Sequence, residues 1–437
     1  MEMGYPRQTK HQLIDFINKK VKHQDVAVLI GARQVGKTTL LQELLAARPH
    51  LYFNLEKTPS FATSIDRCAE FQDFEDWLRD RHGFDPQRDI LAIDEAQVSG
   101  RLGSFIRFMK EEWENATVLL TGSQISEIHR EASRVPVGRE TFFELWPLSF
   151  KEFLGALEQH SLVKTLESFH PGDAISADKH QRLLACYGDY LKVGGLPEVV
   201  TYFIEKKDYA ARRADIYKSY EDDFVRYFSL EEVNLFRRCM EATAANVGSP
   251  SKDTQAIRLD APGYKKVSGI FSRLEKWRLI LKVEQIGFEP EKNKFAPKRY
   301  LYDVGVLSAL RLRGLETADL TAVASSALRT PLGGIIENAV ALALRIGFGD
   351  KLYGLKLTSR AELDFSVKVG DIVYPMECKI APTLKKNYLF SLREYLSRYS
   401  PRGRGFLFYG GPPLPEAVPN IFAVPYYLAD EVRRWVE

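Results

Sequence analysis

From about Lys10 to Leu154, short apolar runs alternate with stretches whose apolar residues recur at helical spacing. QLIDFINKKV opens the helical pattern, and VAVLIG, LYFNL, ILAID and TVLLTGS are strand-like. This βαβ rhythm predicts a parallel sheet covered by helices. VAVLI, ILAI and TVLLT are continuous apolar runs ending in Gly, Asp or Thr-Gly, the pattern of strands buried on both faces, and the carboxyl ends of such strands are where these sheets bind ligands. Residues 155–229 read as mostly helical, interrupted by PGDAIS and KVGGLPEVV. Over 230–320 the expected order is a helix (EEVNLFRRCMEATAANVG), a short second helix near DTQAIRLDA, a third from Tyr264 to Trp277, and then LILKVEQIG and KRYLYDVG as a two-stranded hairpin. Three helices followed by a hairpin suggest a winged helix. Residues 321–437 open with the apolar helix GGIIENAVALALRI and continue through KLYGLKL, ELDFSVKV, IVYPMECKI, a helix near LFSLREYL, and GFLFYG, a second α/β unit with GGPPLPEAVP as a loop.

Composition narrows the class. A chain of 437 residues exceeds what one hydrophobic core usually supports, so several domains are expected. Hydrophobic residues at 45% and charged residues at 27% are ordinary for a globular protein, and no run is expected to reach the roughly 20 apolar residues of a membrane span. Cys68, Cys186, Cys239 and Cys378 stand far apart without a CxxC pair, and MEMGYPRQTKHQL lacks the apolar stretch of a secretory signal. A cytoplasmic protein without disulfides or structural zinc is the expectation. The net charge of +3 is too small to identify a nucleic-acid partner, so charge has to be read locally.

Gly31, Ala32, Arg33, Gln34, Val35, Gly36, Lys37 and Thr38 match G-x-x-x-x-G-K-S/T, with Thr39 next, and they lie between a strand and the helical TTLLQELLAA. In that context the glycines let backbone N–H groups curl around a phosphate, and the helix N-terminus adds a favourable dipole. Lys37 is expected on the β- and γ-phosphates of ATP and Thr38 on Mg²⁺. Asp94, ending ILAI, can orient Mg²⁺-bound water, and Glu95 can activate the attacking water. A helix N-cap is the alternative reading for Asp94. Ser123, after TVLLT, is the first choice for a γ-phosphate sensor, with turn capping as its alternative. Arg130, Arg134 and Arg139 follow; Arg139, in the VPVGRE turn, is best placed to reach a neighbouring subunit's ATP, which predicts a homo-oligomeric ring, expected hexameric.

GARQVGKTT, ILAIDEAQ, TVLLTGSQ and VGRETFFELWPLSFKEFL resemble a group of prokaryotic AAA+ ATP-binding proteins fused to a poorly characterised C-terminal domain, and the resemblance includes YLKVGGLPEVV. It implies ATPase roles for Lys37, Asp94, Glu95 and Arg139. In the winged segment Lys265, Lys266, Arg273, Lys276 and Arg278 face the single acid Glu275 in sequence, and Lys292, Lys294, Lys298 and Arg299 lie on or near the hairpin, where a wing would meet phosphates. DNA is therefore the expected partner. In the last segment Glu377 and Lys379 alternate onto one strand face, with Asp364 on the preceding strand and Glu337 on the apolar helix. This resembles the PD-(D/E)XK nuclease arrangement, in which two carboxylates hold Mg²⁺ and a lysine assists. The expected fold class is thus α/β: an AAA+ P-loop domain with a parallel sheet (1–154), a helical lid (155–229), a winged-helix-like module (230–320) and an α/β nuclease-like domain (321–437). The competing expectation is a nucleotide-dependent switch that binds a protein partner, with an inactive nuclease fold.

Overall fold

The computed structural model describes residues 4–19, 21–122, 138–253, 257, 263–287, 295–312, 329–357, 362–400 and 403–437. The chain divides into two compact units, residues 1–146 with 276–278, and residues 147–275 with 279–437.

In the first unit five strands form a parallel sheet: β1 (Val26–Ile30), β2 (His50–Asn54), β3 (Ile90–Asp94), β4 (Thr117–Gly122) and β5 (Glu140–Glu144), in the order β2-β3-β4-β1-β5. The central strands β1 and β3 are buried at every position, whereas the edge strands β2 and β5 each bury one residue, Phe53 and Phe143, and leave the others partly or fully exposed. That is why VAVLI and ILAI read as continuous apolar runs and LYFNL does not. Parallel pairing sends the carboxyl ends of β1, β3 and β4 to one edge, where the loop Gly31–Gly36 and Asp94 emerge. Against one face pack Phe53, Phe71, Phe74, Phe105 and Trp113 in a single aromatic core.

The second unit has a seven-stranded sheet of mixed direction. Its strands are β7 (Gln285–Gly287), β9 (Leu352–Lys356), β10 (Glu362–Val369), β11 (Ile372–Cys378), β12 (Gly405–Tyr409), β13 (Leu414–Val418) and β14 (Ile421–Pro425), in the order β13-β14-β12-β11-β10-β9-β7. The expected hairpin is present as β6 (Ile280–Val283) antiparallel to β8 (Lys298–Leu301), while β7, directly after β6, joins the large sheet beside β9. Helices Leu230–Ala245, Tyr264–Lys276, Arg329–Phe348 and Phe390–Tyr399 lie where the apolar periodicity placed them. The short helix expected near DTQAIRLDA falls mostly outside the described residues.

Two expectations need correction. LPEAV, within the stretch read as a loop, is strand β13 at the edge of the sheet, because Ile421–Pro425 gives it a partner that composition cannot reveal. Residues Pro331–Lys351 are apolar and long enough to cross a membrane by length and composition, contrary to the reading of the sequence. Here they form a helix that is largely buried in the second unit, with Ile335, Ile336, Val340 and Leu344 each at most 1% exposed.

The KVGGLPEVV stretch is a packing junction. Asp303, 1% exposed, accepts from the backbone N–H of Gly195 at 2.7 Å and of Val306 at 2.9 Å, capping the helix Val304–Arg311. Gly195 has no room for a side chain, since a Cβ there would lie 2.2 Å from the carbonyl oxygen of Leu148.

Candidate functional site

The loop between β1 and the helix Lys37–Leu45 has the shape its sequence implies. Gln34 and Gly36 take positive φ values of 60° and 95°, curling the chain tightly into the helix N-terminus. A Cβ on Gly31 would lie 2.3 Å from the carbonyl oxygen of Leu145, so glycine is required at that close approach. Lys37 is 5% exposed, and its ammonium donates back to the carbonyl oxygens of Gly31 (3.1 Å) and Ala32 (2.9 Å). Burial depresses its pKa, with Glu95 and Asp94 opposing the shift.

Asp94 is fully buried and, among the described residues, accepts five hydrogen bonds. Oδ2 takes the hydroxyls of Thr38 (2.7 Å) and Tyr52 (3.1 Å) and the amide of Asn54 (2.8 Å); Oδ1 takes the Thr121 hydroxyl and the backbone N–H of Glu95 (3.1 Å). Glu95 itself holds a left-handed conformation with φ 54°, a backbone state that non-glycine residues adopt at some cost and that clusters at functional sites. Its N–H also reaches Thr121 at 3.2 Å, and its carboxylate accepts from Gln97 at 2.5 Å. A hydroxyl paired with a carboxylate beside a helix N-terminus is a donor set that fits a hard divalent cation carried with a nucleotide. The sequence leaves Tyr52 and Asn54 unassigned, and offers Thr121 only as an alternative to Ser123 at the end of TVLLTGSQ. Each is a polar residue at or near the carboxyl end of a strand in the sheet, which is the signal that could have found them.

Arg139 lies at the other end of the sheet. Its carbonyl accepts from Val26, the first residue of β1, while the phosphate loop follows the last, roughly 13 Å along the strand at the usual rise per residue. Its guanidinium is bound to Glu111, with Nη2 at 2.7 Å and Nε at 2.9 Å. Ser123, Arg130 and Arg134 fall outside the described residues, as do Lys292 and Lys294.

The basic residues expected to face DNA divide. Lys265 and Lys276 are exposed on the helix Tyr264–Lys276. Lys266 pairs with Glu231 at 2.8 Å, and Arg273 with Glu232 at 2.8 Å, its guanidinium 4.2 Å from the Phe228 ring centre. Arg278, clustered with the first unit, pairs with Glu144. Lys298 and Arg299 are not surface wing residues: they are 1% and 4% exposed. Alternation along β8 sends Arg299 toward Asp253 and the Phe271 ring and sends Lys298 the opposite way.

That opposite side holds the acids of the last segment. Asp364 and Glu377 are one step beyond the Phe365–Met376 pair of the antiparallel strands β10 and β11, so they share a face. The N–H of Asp364 donates to Glu377 at 3.3 Å, Lys379 pairs with Glu377, and Lys298 Nζ lies 3.1 Å from Asp364 and 3.6 Å from Glu337. Burial, reinforced by Asp364, pushes Glu377 up to about 8 and Glu337 up to about 7, with Lys379 and Lys298 respectively opposing. Burial also acts to raise Asp364, but Lys298 and Lys379 outweigh it and hold that carboxyl below its ordinary value. Glu337, Asp364, Glu377 and Lys379 therefore do converge. Among the described residues, however, no group of three or more His, Cys, Asp or Glu is arranged to hold a metal ion.

Comparison with known proteins fixes the class of the first unit. Residues 23–154 match the sequence model of a family described as an AAA domain, and with the loop, the Asp94 site and the parallel sheet this region is an AAA-type P-loop ATPase domain. Such a domain implies nucleotide binding. Residues 185–319 match a domain of unknown function, DUF8612. An uncharacterized protein of Haemophilus influenzae is 26% identical over 198 residues, 43% of this chain and 44% of that protein. An uncharacterized protein of Methanocaldococcus jannaschii is 24% identical over 248 residues, 50% of this chain and 49% of that one. The chain thus spans about half the length of these relatives or less. Among solved structures, the Walker-type ATPase PABY2304 of Pyrococcus abyssi aligns with a TM-score of 0.43 at 14% identity, over 70% of this chain and 96% of its own. The Thermotoga maritima RuvB Holliday junction branch migration motor aligns with a TM-score of 0.29 at 14% identity, over 64% and 90%. Likenesses this loose carry no functional weight.

Proposed function

We propose that the chain hydrolyses ATP with Mg²⁺ at the Asp94 site and couples turnover to DNA bound through the second unit. In this reading Lys37 contacts the phosphates, Thr38 and Asp94 hold the metal side of the nucleotide, Glu95 takes the proton of the attacking water, and Arg139 serves a neighbouring subunit in a homo-oligomer. The bound Mg²⁺ would neutralise charge on the phosphates. The residues of this chain do the rest: the loop's backbone N–H groups take the phosphates, and the hydrogen bonds from Thr121 and Asn54 fix the Asp94 carboxylate.

The observation that carries the DNA reading is the meeting of Asp364 and Glu377 on one sheet face with Lys379 and Glu337, drawn from two strands and a helix. Charges scattered by chance have no reason to meet. Lys265 and Lys276, exposed on one helix, offer phosphate contacts; a cytoplasmic location and a nuclease-like origin for the second unit fit the same picture. A second reading has its own support. Lys266, Arg273, Lys298 and Arg299 are spent on carboxylates of the same chain, which lowers the positive charge left for a polyanion and favours a switch that engages a protein. The test is the ATPase rate with and without duplex, single-stranded and branched DNA. Stimulation that weakens as salt rises supports the first reading; no DNA binding at low salt rejects it.

A further inference from the structure

The carboxylate cluster of the second unit already contains a cation. Lys298, 1% exposed, comes from β8, and its ammonium lies 3.1 Å from Asp364, 3.6 Å from Glu337 and 4.0 Å from Glu362. A lysine is almost never this buried unless carboxylates compensate its charge. We infer that the Lys298 ammonium fills the place where a nuclease of the expected type would hold a divalent ion, so that the cluster takes no Mg²⁺ or Mn²⁺ while β8 stays in position. The inference rests on reading this cluster as the nuclease-like site, and it adds what controls that site.

The placement is built into the fold. Residues on one face of β8 alternate, so Lys298 and Tyr300 point the same way, and the Tyr300 hydroxyl donates to Glu337 Oε1 at 2.8 Å. The strand end is pinned by Asn338, whose amide accepts from the Leu301 N–H at 2.7 Å and donates to the Leu301 carbonyl at 3.0 Å. Register therefore fixes Lys298 against the acids. Gly248 leaves the Glu337 carboxylate the room it occupies, since a Cβ there would lie 2.4 Å from Oε1.

The other oxygen of Asp364 and both oxygens of Glu377 have hydrogen-bond partners as well. Asp364 Oδ2 accepts from the Cys378 N–H at 2.9 Å, and Glu377 gives one oxygen to Lys379 and the other to the Asp364 N–H. A Mg²⁺ or Mn²⁺ ion needs a near-octahedral oxygen shell, with carboxylate lone pairs free to enter it. These oxygens are instead held by N–H and O–H donors, and among the described residues no group of three or more acids is arranged to hold a metal ion. A single positive charge on a tethered side chain thus replaces a mobile double charge, and its loss would leave buried carboxylates uncompensated.

The experiment compares full-length, nucleotide-free wild type, Lys298→Met, Asp364→Asn and Lys298→Met/Asp364→Asn, titrated with MnCl₂ and melted in Mn²⁺ and in EDTA. The wild type should show no Mn²⁺ binding that Asp364→Asn removes. Lys298→Met should gain one site at least about tenfold tighter than anything Asp364 supports in the wild type, with a rise in Tm on adding Mn²⁺. The double variant should lose both. If Lys298→Met does not fold in EDTA, recovery of the fold by Mn²⁺ supports the inference and failure to recover overturns it. Wild-type binding that depends on Asp364 and is no stronger in Lys298→Met, or a folded Lys298→Met without a new site, also overturns it. DNA binding by the wild type, measured alongside, reports separately on the DNA reading: its absence would sink that reading and leave the Mn²⁺ comparison valid.

Discussion

The hydroxyl of Thr38 donates to the carboxylate of Asp94 across 2.7 Å, although 56 residues separate them in the chain. The contact exists because two parallel strands, β1 and β3, end on the same sheet edge with β4 between them. Asp94 is then surrounded by side chains from β2 and β4, and two of these lead to the first prediction.

Thr121→Val and Asn54→Ala each remove one donor from the buried Asp94 carboxylate without touching the phosphate loop. Loosening a group that must hold a fixed orientation impairs turnover more than binding. Each variant should lower kcat for ATP by about tenfold while leaving KM within about twofold. A KM rise with kcat unchanged would show that these residues serve binding instead.

Asp303→Ala leaves the buried N–H groups of Gly195 and Val306 without their acceptor. Burial raises the Asp303 pKa, so removing the carboxyl also relieves some desolvation. The expected net loss is about 2–3 kcal/mol in urea unfolding of the second unit. Gly195→Ala should cost at least about 2 kcal/mol, because the Leu148 carbonyl is backbone and cannot move aside cheaply. A neutral result for both would remove KVGGLPEVV from the structural account.

Asp430 predicts a pH dependence. Burial pushes its pKa up to about 6, opposed by the Lys151 N–H and ammonium, while Glu431 and Glu152 add repulsion. With the folded value above the ordinary carboxylate value, the native state binds the extra proton, so stability falls as pH rises from about 4 to about 6. The upper bound is about 3 kcal/mol at 1.36 kcal/mol per pKa unit. Asp430→Asn should flatten this part of the Tm–pH curve and gain stability over the wild type at pH 7 but not at pH 4. An unchanged slope would contradict it.

Arg139 stands at the far end of β1 from its own phosphate loop, so any role in hydrolysis requires a neighbour. Arg139→Ala should keep nucleotide binding and lose about 10³-fold in turnover. Mixed with Lys37→Ala, it should regain activity through hybrid interfaces. A fully active monomer in light scattering would end this idea.

The first unit was the more legible part of the chain. Its central strands β1 and β3 are buried on both faces, so their sequences are continuous apolar runs, and the loop motif has fixed spacing and flanks. Asn54 and Tyr52 escaped because a polar residue at a strand end gains meaning only when the neighbouring strand is known. In the second unit the long helices, the β6–β8 hairpin and the strands β9 to β12 followed from periodicity, but β7, β13 and β14 did not. Those short strands exist because partners elsewhere in the sheet supply their hydrogen bonds. Lys298 shows the same limit. A lysine in KRYLYDVG looks like surface charge, and nothing local reveals that Glu337 and Asp364 are brought to meet it.

ATP hydrolysis at this site turns on Glu95, the group that takes the water's proton beside a phosphate loop completed by Lys37. Binding of a fluorescent ATP analogue and release of phosphate, measured on wild type, Lys37→Ala and Glu95→Gln in Mg²⁺, test it together. Lys37→Ala should lose binding, whereas Glu95→Gln should bind as the wild type does and turn over at least about 10²-fold more slowly. Parental turnover by Glu95→Gln would contradict it.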